Sequence, residues 1–206
     1  MRYEIKYVLP PAYDGEIERQ VLHLPCGFHE IYHERQVNNI YLDTPELCDY
    51  SDAVNGVSSR SKTRIRWYGN FDRITRPMLE VKFKRGLVGS KHVEPFDMFT
   101  LQNAAELSVD RRVPRLVNAY TRRYFATPDE MCRITIDKEQ KFYSPASAAM
   151  GEQFGIADNR ILLEVKFKKD DLYKVANAIQ QLNLHIGKNS KYVNGINAVM
   201  FLRTTY

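Results

Sequence analysis

Cysteine is scarce. Cys26, Cys48 and Cys132 are the only three in 206 residues, and none has the C-x-x-C or Cys/His spacing of a metal-ligand set. A zinc site and a disulfide framework are therefore not what organises this chain. Reduced thiols point to a cytoplasmic protein. No apolar run approaches the length that spans a bilayer, and the opening Met1-Arg2-Tyr3-Glu4-Ile5-Lys6 lacks the apolar core of a signal peptide. No Gly/Ser-rich or low-complexity block divides the chain, so one domain over residues 1–206 is expected. Histidine is sparse as well. Of the five, His29 and His33 lie four apart, but in a segment that reads as strand, which keeps them from sharing a metal. The single Trp67 falls on an apolar strand face and is expected in the core.

What is plentiful is charge, in a fixed pattern. Lys and Arg total 30 against 25 Asp and Glu, a net charge of +5, while 44% of the residues are hydrophobic, enough for a packed core. The six letters LEVKFK occur twice, at Leu79–Lys84 and Leu163–Lys168. In both copies Glu, Lys and Lys share one face, and Leu, Val and Phe share the other, a period-2 strand pattern. The same alternation runs through Tyr3–Leu9, where Glu4, Lys6 and Val8 share a face. It recurs through Arg60–Tyr68, with Arg60, Lys62, Arg64 and Arg66 in line, and through 131–137, with Arg133, Thr135 and Asp137 in line. Phe28–Arg35, Val37–Asp43, Ser90–Met98 and Lys141–Tyr143 read as further strands. Helices are expected over Asp14–Leu24, from Thr44-Pro45 to Asn55-Gly56, over Leu116–Phe125 and over Asp170–Leu184. The fold class is α+β, built on an antiparallel sheet.

Antiparallel sheets commonly turn one mixed polar face to water. These faces differ, because cations repeat at every second residue. Neighbours two apart on a strand face lie ~6.6 Å from each other, so the four cations of Arg60–Arg66 repel unless an anion sits among them. An eight-stranded barrel with the charges inside and the apolar faces packed under helices would concentrate that repulsion. A polyphosphate in the bore would relieve it. A few carboxylates among the cations would hold Mg²⁺ or Mn²⁺, which take oxygen ligands and share them with phosphates. Each LEVKFK strand then places a carboxylate and a cation inward, one pair for metal and one for phosphate.

Several segments, in order, carry a resemblance to a known family: Arg2-Tyr3-Glu4-Ile5-Lys6-Tyr7, Tyr41-Leu42-Asp43-Thr44, Arg64-Ile65-Arg66-Trp67-Tyr68-Gly69, both LEVKFK copies, Arg133-Ile134-Thr135-Ile136-Asp137 and Lys188-Asn189-Ser190-Lys191-Tyr192. Over Arg2 to about Asn197 the chain resembles the VTC domain. This is the polyphosphate polymerase domain of the triphosphate tunnel metalloenzyme, or CYTH-like, superfamily. The resemblance implies an antiparallel eight-stranded β-barrel tunnel with a charged interior, jacketed by helices. It implies a divalent metal, Mn²⁺ or Mg²⁺, and ATP, phosphate and polyphosphate as ligands, with no nucleic acid. Carried over by position, Lys6, Arg64, Arg66, Lys82, Arg122, Arg133 and Lys191 would act on the transferring phosphate. Lys62, Lys91, Lys166, Lys188 and Ser190 would bind substrate. Glu164 would be the principal metal ligand, with Glu4 and Glu80 beside it. Arg123 competes with Arg122 if the register slips by one, and Tyr68 and Tyr192 are candidates to reach a purine ring.

Two features depart from the superfamily. Arg2 stands where its opening signature has the first of two glutamates, which weighs against its hydrolytic chemistry. The inositol-phosphate sensor and membrane spans of the eukaryotic polymerases have no counterpart here, so any membrane role would need a membrane-protein partner. The expected activity is ATP-dependent extension of polyphosphate. A triphosphate or nucleotide phosphohydrolase and a non-catalytic polyanion-binding module are the rivals.

Overall fold

The computed structural model describes residues 2–86, 88–168 and 171–201. Nine strands form the sheet: β1 (Arg2–Leu9), β2 (His29–Asp43), β3 (Ser59–Tyr68), β4 (Met78–Arg85), β5 (Val88–Pro95), β6 (Val113–Ala126), β7 (Cys132–Tyr143), β8 (Ile156–Asp158) and β9 (Ile161–Lys168). Among the described residues five α-helices accompany them: α1 (Glu16–Leu22), α2 (Cys48–Val54), α3 (Pro145–Met150), α4 (Leu172–Ile179) and α5 (Lys191–Ile196). The hydrogen-bonded order is β1-β9-β7-β6-β2-β3-β4-β5, with β8 paired to β7 off that path.

The expected eight-stranded closed barrel is not what these ladders make. Among the described residues there are nine strands, and no ladder joins the end strands β1 and β5. The free edge of β1 is occupied instead. Ile186 bridges Tyr7, and the Gly187 amide donates to the Lys6 carbonyl at 2.8 Å. The α+β class and the antiparallel sheet are as expected.

Leu116–Phe125, expected as a helix, is strand. It lies within β6, whose residues from Leu116 to Tyr120 are buried without a break. A strand covered on both faces loses its period-2 signal, and the Val, Tyr, Thr and Phe content of the segment then favours the pleated form. The same double burial joins the two strands expected within 28–43 into the single β2, fully buried from Val37 to Asp43. Helix α2 begins at Cys48, later than Thr44-Pro45 suggests. Leu47 bends the chain in the left-handed region (φ 60°), and the Asp43 carboxylate accepts the amides of Asp49 at 2.9 Å and Tyr50 at 2.9 Å, capping the first turn from the end of β2. Of the helix expected over Asp170–Leu184, Asp170 lies outside the described residues. The remainder is α4 followed by a 3₁₀ turn, Gln180–Leu182.

The chain divides into two compact units. Unit 1 comprises 1–35, 121–140 and 159–189; unit 2 comprises 36–120, 141–158 and 190–206. In unit 1 the apolar faces of β1, β7 and β9 pack Tyr7, Ile134, Leu163, Val165 and Phe167 against Ile17 and Val21 of α1 and Val175 and Ile179 of α4. In unit 2 Ile65, Trp67 and Leu79 pack with Phe71, Phe99 and Ala148 of α3. Each such buried side chain contributes about 1.5–3 kcal/mol. Trp67 is fully buried, as expected.

Helix α5, which carries the Ser190-Lys191-Tyr192 segment, lies against β6 and β7 through Gly195. A Cβ there would meet Leu116 Cδ2 at 2.4 Å and Phe142 Cδ1 at 2.7 Å. Helix propensity alone would make Gly195→Ala stabilising by up to ~1 kcal/mol. Because both neighbours are buried, the clash outweighs it, and a net loss of ~1–3 kcal/mol is expected, read as a lower midpoint in thermal or urea unfolding.

Candidate functional site

Each unit is built around one LEVKFK strand, and each gathers charge on that strand's polar face. In unit 1, β9 lies between β1 and β7. Directly opposite residues share a face. Lys6, Glu164 and Thr135 therefore form one row across the three strands, and Glu4, Lys166 and Arg133 the next. The Lys6 ammonium sits 3.0 Å from Glu164 Oε1 and 3.1 Å from Glu4 Oε1, and donates to the Asn189 carbonyl at 3.2 Å. Lys166 lies 3.1 Å from Glu164 Oε2 and 3.9 Å from Glu4 Oε2. Burial alone would depress the Lys6 pKa, but the Glu164 and Glu4 carboxylates outweigh it and hold the ammonium above the ordinary lysine value. Two buried oxygens beside this cluster, Thr135 Oγ1 and Asn189 Oδ1, have no hydrogen-bond partner.

The other expected residues of unit 1 are more dispersed. Arg122 donates to Asp137 from Nε at 2.5 Å and from Nη2 at 2.7 Å, a bidentate pair on a buried carboxylate. Arg123 forms its own bidentate pair with Glu30, at 2.9 and 2.8 Å, and as a strand neighbour of Arg122 it lies on the opposite face of β6. Arg133 occupies its place in the row, yet its exposed guanidinium turns to Glu130 at 2.6 Å. Lys188 is exposed.

In unit 2, β4 lies between β3 and β5. Arg64, Glu80 and Val93 form one row; Lys62, Lys82 and Lys91 form the next. Glu80 is 6% exposed and ringed by cations. Arg64 Nε donates to its Oε2 at 2.6 Å, Lys91 Nζ to its Oε1 at 2.6 Å, and Arg66 Nη1 lies 3.9 Å away. Burial pushes the Glu80 carboxyl up, but Arg64, Arg66 and Lys91 prevail and hold it at about 2. Arg66 is also buried. It donates to Asn39 Oδ1 at 2.8 Å and to the Tyr120 hydroxyl at 3.3 Å, while Arg64 reaches the Tyr41 hydroxyl at 3.4 Å. Lys62 donates to Ser190 Oγ at 2.8 Å, and the same oxygen accepts the Val193 amide as the N-cap of α5. Lys191 stands 4.6 Å from the centroid of the Tyr120 ring.

Tyr192 does not present a ring to a ligand. It is buried, stacked on Tyr41 at 5.1 Å, and its hydroxyl donates to Asp43. Burial and that carboxylate raise its pKa. Tyr68 is 42% exposed.

Among the described residues no group of three or more His, Cys, Asp and Glu side chains could hold a metal. The two units differ in how they fit one. Both Glu80 oxygens are paired with cations, and so are both Glu164 oxygens, Oε1 with Lys6 and Oε2 with Lys166. Unit 1 offers two carboxylates, Glu4 and Glu164, and the partnerless oxygens of Thr135 and Asn189. That all-oxygen set suits a hard divalent cation, which binds through one or two carboxylates and completes its shell with water and phosphate.

Some residues of these clusters were given no role in the sequence reading. Asn39 and Tyr120 were not proposed for the site, and Tyr41 and Asp137 stood there only within strand patterns and resembling segments, yet all four contact Arg64, Arg66 or Arg122. Asn39 sits in the fully buried half of β2. A buried amide in an apolar strand is the one clue that was available.

Residues 1–95 and 100–200 match the family model described as the VTC domain. Among solved structures, the PH1819 protein from Pyrococcus horikoshii OT3 is similar with a TM-score of 0.55 and 16% identity, covering 93% of this chain and 97% of that one. A protein described as a candidate adenylate cyclase from Vibrio parahaemolyticus is similar with a TM-score of 0.53 and 16% identity, covering 94% and 97%. At that identity the likeness is one of fold. No protein of curated function matches the chain.

Proposed function

The chain belongs to the VTC domain family, and from that premise we propose that residues 1–206 act as one domain, an ATP-dependent polyphosphate polymerase. The observation that carries the reading is the convergence of cations in unit 2. Arg64, Arg66 and Lys91 all converge on the buried Glu80, and Lys62 and Lys82 stand in the next row. Phosphoryl oxygens would accept from several such cations at once. Each charge-assisted hydrogen bond to them contributes about 1.5–3 kcal/mol.

In the reaction, a terminal oxygen of a phosphate or polyphosphate chain forms a bond to the γ-phosphorus of ATP. The bond from that phosphorus to the β–γ bridging oxygen breaks, and its electron pair leaves with ADP. The attacking oxygen is already ionised at pH 7 and needs no general base. In keeping with this, all five histidines are exposed and none contacts either cluster among the described interactions. Catalysis is then positioning plus electrostatics. Arg64, Arg66 and Lys91 are held by Tyr41, Asn39, Tyr120 and Glu80, so they meet the phosphate without reorganising. Glu164 and Glu4 would hold Mn²⁺ or Mg²⁺, which supplies charge stabilisation at the transferring phosphoryl group. Among the described residues no helix is long and apolar enough to cross a membrane. Delivery of product across one would fall to a membrane-protein partner.

The test is ADP release from ATP and Mn²⁺ with and without short polyphosphate. A polymerase releases ADP faster when chain ends are supplied. Release that ignores added chains supports the phosphohydrolase, and no release supports the binding module.

A further inference from the structure

Helix α5 carries Lys191, one of the expected phosphate-binding residues, and is only six residues long. A helix that short has no stability of its own in water, and Tyr192, Val193, Asn194 and Gly195 are weak helix formers. Where Lys191 points is therefore decided by what ties α5 to the rest of unit 2. Close packing at Gly195 sets its distance from β6 and β7. Ser190 caps its first turn and accepts from Lys62. Beyond its last turn, Asn197 Oδ1 accepts from the Tyr50 hydroxyl at 2.6 Å. Next to Lys191 itself, the tie is the hydrogen bond from the Tyr192 hydroxyl to Asp43.

Asp43 is fully buried. Its Oδ1 accepts the amides of Thr44 at 2.7 Å and Asp49 at 2.9 Å, and its Oδ2 accepts the Tyr50 amide at 2.9 Å as well as the Tyr192 hydroxyl. Three backbone amides thus fix the carboxylate from the end of β2 and the first turn of α2, and Tyr192 comes to a partner that is already in place. The Tyr192 ring lies on Tyr41 at 5.1 Å, and the Tyr41 hydroxyl accepts from Arg64 at 3.4 Å. Adjacent helical residues point about 100° apart. Holding Tyr192 at both ring and hydroxyl therefore fixes the rotation of α5 about its axis, and with it the direction of Lys191. That direction brings the Lys191 ammonium over the ring of Tyr120, whose hydroxyl accepts from Arg66. A phenylalanine ring would fill the same space. Burying a hydroxyl and a carboxylate costs free energy that their mutual bond offsets, so what the polar pair adds beyond packing is direction.

We infer that Tyr192 is a positioning residue: its hydroxyl, seated on the Asp43 carboxylate, sets the rotation of α5 and so aims Lys191 at phosphate bound beside Arg66. The inference rests on the reading of unit 2 as a phosphate site, and it adds which buried residues aim one of its cations.

A double-mutant cycle on the whole chain tests this, read as tripolyphosphate affinity without metal. Lys191→Met is expected to weaken binding by about tenfold to a hundredfold, the equivalent of one charge-assisted contact. Tyr192→Phe keeps the stacked ring and leaves Asp43 its three amides, so it should fold, and it is expected to weaken binding by about threefold to tenfold. Combined with Lys191→Met, Tyr192→Phe should cost less than about twofold more, because the residue it aims is gone. A residue that merely supports the fold would weaken both backgrounds by the same factor.

Equal factors in the two backgrounds overturn the inference, as does unchanged affinity in Tyr192→Phe or in Lys191→Met. Thermal unfolding accompanies each titration: a Tyr192→Phe variant that is unfolded at the assay temperature makes the hydroxyl a requirement of the fold and likewise overturns the inference. These outcomes separate from the polymerase reading. The predicted dependence on Lys191 in a protein that makes no polymer would defeat that reading alone. A working polymerase in which Tyr192→Phe acts equally with and without Lys191 would defeat this inference alone. A wild-type protein that does not bind tripolyphosphate would defeat both.

Discussion

Glu164→Gln is expected to lower metal-dependent turnover of ATP by on the order of 10²–10⁴, while metal-free polyphosphate affinity holds or rises. A carboxylate between Lys6 and Lys166 could be there only to neutralise them. If so, removing its charge strengthens anion binding and leaves turnover largely intact. If it also holds the metal, the amide takes away an anionic oxygen donor, and stabilisation of the transferring phosphoryl group goes with it. The two readouts move apart only in the second case. Wild-type turnover in Glu164→Gln would remove Glu164 as the essential ligand and leave Glu4. The variant should remain folded, because Lys6 keeps Glu4 and the Asn189 carbonyl as partners.

Glu80→Gln has its main effect on stability. A carboxyl held at about 2 in the folded protein, against 4.5 unperturbed, contributes about 3 kcal/mol. The sign follows from the lowered value. The contribution is complete above about pH 5, and it is lost as pH falls through 4.5 towards 2. Removing the charge leaves Arg64, Arg66 and Lys91 facing one another, so a loss of about 3–5 kcal/mol is expected at pH 7. For a chain of this size that lowers Tm by roughly 6–20 °C. Two further results should accompany it. The stability difference between wild type and variant should shrink steadily from pH 5 to pH 2 in urea titrations. Polyphosphate should raise the Tm of the variant more than that of the wild type, by standing in for the missing charge. A variant as stable as the wild type at pH 7 without added anion would show that Glu80 does not hold the unit 2 cations together.

The parts of the fold legible in the sequence are those where one strand face is charged and the other apolar. β1, β3, β4 and β9 fall there, and each appears where the alternation puts it. β6 was illegible for the opposite reason. Its residues from Leu116 to Tyr120 are buried without a break, alternation vanishes, and Leu116 and Tyr120 fall by chance at helical spacing. The start of α2 could not be read because its cap, Asp43, comes from the end of a strand several residues earlier. Strand order is a long-range property, and no local pattern shows that residues 186 and 187 take up the edge of β1.

The site divides in the same way. Its cations were visible as an unusual row, but their partners were not, since Asn39, Tyr41 and Tyr120 are ordinary residues until the fold places them beside a guanidinium. The repeated LEVKFK was visible as well. That its two copies face different residues, Glu4 and Lys62, needed the strand register.

The most direct measurement is the fate of the γ-phosphoryl group. γ-Labelled ATP, Mn²⁺ and an unlabelled short polyphosphate are incubated with the protein, and the products are resolved by chain length. The account predicts label in chains longer than the added primer, with one ADP formed for each phosphoryl group incorporated. Label recovered as free orthophosphate, or retained in ATP, would contradict it.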